Sequence, residues 1–75
     1  MKQPKQLTCI IEREGKVYVS LCPQIDIVTQ GDSVEKARKN LIEAIKLFFE
    51  MASPQEILAR MYSEIYVTQI EVAIG

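Results

Sequence analysis

With 75 residues, 48% of them hydrophobic, the chain can enclose one core, but a domain of this size hides only about 60% of the surface its unfolded chain exposes. Such a domain needs a staple, whether a disulfide, a structural metal or self-association. A formal charge of −1 offers no electrostatic footprint for nucleic acid, and no window holds the roughly twenty apolar residues of a membrane span.

Residues 1–6 are polar, lack the apolar stretch of a signal peptide, and read as a flexible lead. A first strand is predicted from Gln6 to Glu12, where β-branched Thr8, Ile10 and Ile11 flank Cys9. Glu12 to Lys16 is a polar turn containing Gly15. In the return strand Val17, Val19 and Leu21 alternate with Tyr18, Ser20 and Cys22. Pro23 ends it, and Ile25 to Gln30 makes a third strand that Gly31 interrupts. A turn centred on Glu14 would set Cys9 opposite position 19 or 20 and Cys22 opposite 6 or 7, so the two thiols would not meet. Both then read as reduced, small core residues, which favours a reducing, cytoplasmic compartment. Without histidine they cannot complete a structural zinc site either. Self-association is the staple left.

Asp32-Ser33 is a helix start, with Ser33 the preferred cap and Glu35 complementing the dipole. From Val34 to Ala52, one stripe carries Val34, Ala37, Leu41, Ala44, Ile45, Phe48 and Ala52 and should pack on the sheet. Glu35, Lys39, Glu43, Lys46 and Glu50 form a solvated opposite face. Ile42, Phe49 and Met51 widen the apolar arc beyond what one stripe needs, so the next segment or a partner should cover them. Arg38 falls inside that arc and must snorkel or pair with a carboxylate. Ser53-Pro54-Gln55-Glu56 is a capping box with proline at the first helical position, which predicts a second helix from Pro54 to about Tyr62.

Glu64 to Ile74 reads as a last strand, with Ile65, Val67 and Ala73 on one face and Tyr66, Ile70, Val72 and Ile74 on the other. A strand apolar on both sides is either central or buried by another protomer. Tyr66, Ile70, Val72 and Ile74 are therefore the candidate oligomer interface of a homodimer or higher homo-oligomer. The expected architecture is one two-layer α/β (α+β) domain over residues 1–75, in β-β-β-α-α-β order. It has a three-stranded antiparallel meander, a final strand parallel to the third and helices on one face. The other face of the sheet is left bare.

Catalytic chemistry is hard to assemble from these residues. The usual Ser or Cys pairings need histidine, and Asp26 and Asp32 lie roughly 20 Å apart across a strand. No glycine loop cradles a phosphate, and no cofactor is implied. Lys36, Arg38, Lys39 and Lys46 are interleaved with glutamates, which argues against RNA binding. The expectation is a protein without enzymatic activity and without direct contact to nucleic acid or membrane.

The strings Val17-Tyr18-Val19-Ser20, Cys22-Pro23-Gln24-Ile25 and Thr29-Gln30-Gly31-Asp32-Ser33, followed by Glu35, Ala37, Asn40, Leu41, Glu43 and Ala44, resemble HicB. HicB is the antitoxin of the HicA–HicB toxin-antitoxin systems. The likeness covers the chain from about Leu7 to Ile74, and Tyr66 to Val72 is similar to the last strand of short, stand-alone members. It implies a cut-down ribonuclease-H-like domain that binds and blocks a small HicA-like mRNA-cleaving toxin. Many HicB proteins carry a C-terminal DNA-binding domain, and none is expected within this chain. Among the signature residues, Gly31 should supply a positive φ or a tight turn, and Ala37 and Ala44 a close helix-to-sheet approach. Strand direction gathers Glu12, Glu14, Asp32 and Glu35 at one end of the sheet, a candidate partner-binding surface for a basic toxin that Arg13 and Lys16 dilute. Two readings stay open: a toxin-occluding antitoxin, and a homo-oligomeric scaffold or binding module without a toxin partner.

Overall fold

Local sequence builds three strands and two helices: β1 (Ile10–Glu14), β2 (Val17–Cys22), β3 (Ile27–Gly31), α1 (Val34–Met51) and α2 (Pro54–Met61). The structure is a computed structural model that describes residues 6–61 and 64–75. Most of the expected N-terminal lead, together with Tyr62, lies outside them. The strands form one antiparallel sheet of order β1-β2-β3, and the fold is a small α+β unit.

The first hairpin is tighter than the charge pattern suggested. Glu14 pairs with Val17, so the loop is Gly15-Lys16, with Gly15 at φ 63. A two-residue loop needs a positive φ at its first position, which glycine supplies freely. The register therefore moves, with Ile10 opposite Leu21, and one further step would set Cys9 opposite Cys22. Strand pairing stops at Ile10. Both thiols are free, Cys22 buried and Cys9 exposed, so the expectation of Cys9 as a core residue is corrected. Glu12, Arg13 and Glu14 continue β1 because an edge strand tolerates charge.

Pro23 to Asp26 form the second turn, with Asp26 at φ 54, a region that aspartate tolerates better than most residues. The turn delays β3 to Ile27 and drops Ile25 into the core. Gln24 ties the turn to the N-terminal lead, donating from Nε2 to Thr8 Oγ1 at 2.7 Å and accepting from the Thr8 N–H at 3.1 Å.

Ser33 caps α1, its Oγ accepting from the Lys36 N–H at 3.1 Å. The helix crosses one face of the sheet, lying chiefly over β3 and β2 and only touching β1. Gly31 makes this crossing possible, by a route other than the one expected. Its φ is not positive; instead, a Cβ built there would meet the Ala37 nitrogen at 2.5 Å and the Lys36 carbonyl carbon at 2.8 Å. Fully buried Ser20 donates to the Ala37 carbonyl at 2.8 Å and lies 2.6 Å from Thr29 Oγ1. Asn40 Nδ2 donates to the Gln30 carbonyl at 2.8 Å.

The core is Cys22, Ile25 and Leu41, packed round by Leu7, Ile27, Ile45, Phe48, Phe49 and Met61. Of the predicted stripe, Ala37 and Leu41 are buried and Val34 is exposed. Helix α2 forms the serine half of the expected capping box, with the Glu56 N–H donating to Ser53 Oγ at 3.1 Å, while the Glu56 carboxylate turns to Arg60. Its Met61 packs against the core, as does Phe49 of the widened arc, while Met51 stays 79% exposed.

The expected last strand is not formed. Residues 64–75 carry no regular secondary structure and are exposed throughout. A strand exists only against a neighbour that satisfies its backbone, and the side-chain hydrogen bonds here are local, such as Tyr66 Oη to Glu64 Oε1 at 3.2 Å.

Candidate binding surfaces

Side-chain alternation divides the sheet into two unequal faces. Because Ser20 points into α1, its cross-strand partners Ile11 and Thr29 share the helix side. The opposite face holds Ile10, Leu21 and Val28, which the register aligns as one row across all three strands. Val17 and Val19 extend it. Neither helix covers this row, and Val28 is left 59% exposed. Ile10 is exposed as well, while Leu21, Val17 and Val19 are half-buried, and contiguous exposed apolar surface is a feature of protein-binding sites.

The four acidic candidates are brought to the same end of the molecule but not to one face. Arg13, Tyr18 and Gly31 align across the sheet, so Glu14 and Asp32 both lie one step beyond that line, with Glu12 one step inside. Glu12 and Glu14 alternate onto the bare face beside Val19 and Val17. Glu35 sits in the first turn of α1, in the helix layer. All four are exposed. Arg13 shares this end and donates from Nε to the Gly15 carbonyl at 3.0 Å.

A groove of about 230 Å³ opens between the lead Leu7-Thr8-Cys9, just before β1, and the helix residues Leu41, Ile42 and Ile45. Arg38 lines the same groove and is exposed, so it snorkels rather than forming an ion pair. The ion pair among the described residues is Arg60 with Glu56 at 3.9 Å.

The candidate interface residues of the last segment are strongly exposed: Tyr66 79%, Ile70 85%, Val72 66% and Ile74 95%. The sequence reading missed Arg60. Its guanidinium donates to the Ile25 carbonyl and lies 5.2 Å from the centre of the Phe48 ring, fastening α2 to the core. Its place beside Glu56 in a short helix looks like an ordinary i,i+4 pair, and nothing local signals the contact 35 residues away in sequence.

Among the described residues no group of three or more His, Cys, Asp or Glu side chains could hold a metal ion, and no helix is long and apolar enough to cross a membrane. The apolar row of the bare face has Glu12 and Glu14 beside it, and the groove has Arg38 and Lys46. Compared with family models, curated proteins and solved structures, the chain matches none.

Proposed function

We propose that the chain is a non-catalytic binding protein of the antitoxin type, which neutralises a small, basic, HicA-like mRNA-cleaving toxin by covering its active surface. The observation that carries this reading is the uncovered row Ile10-Leu21-Val28, bordered on its own face by Glu12 and Glu14. Apolar contact sets the lifetime of such a complex, and the acidic border steers a cationic partner towards it. The resemblance to HicB adds support, since its strings coincide with the β2-turn-β3-α1 unit in which Pro23, Gly31 and Ser33 have defined structural tasks. On this reading the assembled protein gains its fourth strand from residues 64–75 and becomes the cut-down ribonuclease-H-like sheet. It works in the cytoplasm without touching RNA or DNA itself.

The test is co-expression with a small basic ribonuclease encoded beside this gene, followed by gel filtration and an RNA-cleavage assay. The expected outcome is co-elution and suppressed cleavage, reversed when Val28→Glu disrupts the apolar row. A neighbour that is toxic, does not co-elute and is not suppressed overturns the reading. The second reading, a homo-oligomeric scaffold module, draws on the exposed Tyr66, Ile70, Val72 and Ile74. Self-association without toxin capture would select it.

A further inference from the structure

We infer that residues 64–75 of one copy dock on the open edge of β1 in a second copy, with the row Tyr66, Ile70, Val72 and Ile74 turned towards α1 and its leading part entering the groove between α1 and the lead Leu7-Thr8-Cys9 that runs into β1. This deepens the self-association part of the proposed function and does not depend on a toxin.

Complementary features on one chain lead to this pairing. The segment has a strand's alternation and makes no pairing of its own. At about 3.3 Å per residue it is long enough to run the full length of β1. The outer edges of both β1 and β3 lack a partner among the described residues, and an unpaired edge is a template for a further strand. The two edges differ in what lies above them. Helix α1 lies over β3, whereas it barely touches β1, and beside the lead into β1 it leaves a groove lined by Leu41, Ile42 and Ile45. A strand added to β1 would bring one row of side chains under the helix, where those apolar residues are waiting.

The protomer is also not closed on itself. A compact chain of 75 residues has a radius of gyration of about 11 Å, and this one has 14.6 Å with a longest dimension of 51 Å. Reciprocal exchange of the two segments closes a two-fold dimer in which each groove is filled by the other copy.

Exposed Cys9 lies in the groove while Cys22 is buried, which provides the test. One copy carries Cys9→Ser with a single cysteine at position 66, 70, 72 or 74; the other, tagged copy keeps Cys9 and the natural segment. After mixing and oxidation, a disulfide-linked heterodimer of twice the 8.5 kDa protomer is expected from at least one position, and Cys9→Ser in the tagged copy should abolish it. Light scattering of the natural protein should give a dimer, and Ile70→Lys a monomer that keeps the helical far-ultraviolet bands while losing strand signal. The inference is overturned by an 8.5 kDa species at micromolar concentration, or by folded variants that yield no heterodimer at any of the four positions. Loss of toxin binding leaves the cross-link intact, so the two proposals fail separately.

Discussion

At single residues, packing and conformation make opposite demands on two glycines. Gly15 has open space around it and a left-handed backbone, so Gly15→Ala strains the hairpin by about 1–2 kcal/mol without a clash. Gly31 has ordinary φ and no space, because the backbone of α1 passes where a Cβ would sit. Gly31→Val should therefore force α1 away from the sheet and cost more than the roughly 1 kcal/mol expected for Ser33→Ala at the cap. Denaturant melts of the three variants give the order, and a valine variant as stable as the parent removes this account of Gly31. The cap was legible because its signal is local, an oxygen three residues before a free N–H. The reason for Gly31 was not, since it depends on a helix whose path is set by Ala37, Leu41 and the Ser20 hydroxyl.

At the level of elements, α2 is held by few contacts. Arg60 donates to the Ile25 carbonyl and covers the face of Phe48, and Met61 touches the core. Arg60→Ala should loosen α2 by about 1–2 kcal/mol, seen as faster amide exchange across Pro54–Met61 while α1 keeps its protection. Glu56→Gln should change stability by no more than about 0.5 kcal/mol, because its pair with Arg60 is solvent-exposed. If Glu56→Gln matches Arg60→Ala, the ion pair and not the carbonyl contact fastens the helix. The strands β2 and β3, the helix α1 and the capping box of α2 could be read from the chain because periodicity and punctuation agree there. The first turn slipped by two residues because Glu12-Arg13-Glu14 looks like a loop by composition and is an exposed edge strand by pairing. Glu64 to Ile74 has the pattern of a strand, but pattern alone does not provide the neighbour that makes one.

Across the whole molecule, the proposed capture of a basic partner would divide its work between charge and apolar surface. If that reading holds, charge reversal at the exposed Glu12 and Glu14 should slow capture of a basic partner severalfold at low ionic strength and have little effect at high salt, the behaviour of carboxylates that steer without being buried. Val28→Glu should instead hasten release, since Val28 belongs to the apolar row itself. Surface plasmon resonance at two salt concentrations separates the two rates, and a charge reversal that acts only on release would show the acidic end to be part of the contact. Of this division the sequence disclosed the acidic end, through strand direction. It could not disclose that Glu12 and Glu14 share a face with Ile10, Leu21 and Val28, which depends on a register fixed by Gly15.

Cys22, Ile25, Ala37 and Leu41 are the buried hydrophobic residues among those described, and so small an interior has a calorimetric consequence. The heat capacity of unfolding follows the apolar surface released; an ordinary domain of this length releases about 1 kcal/mol/K, and a lone protomer should fall short of it. Its endotherm should be broad and low. Pairing of two copies would restore the missing surface, so both the sharpness of the transition and its midpoint should climb as the protein is concentrated. A scanning-calorimetry dilution series in which the midpoint stays fixed would mean that this interior suffices for the protomer alone.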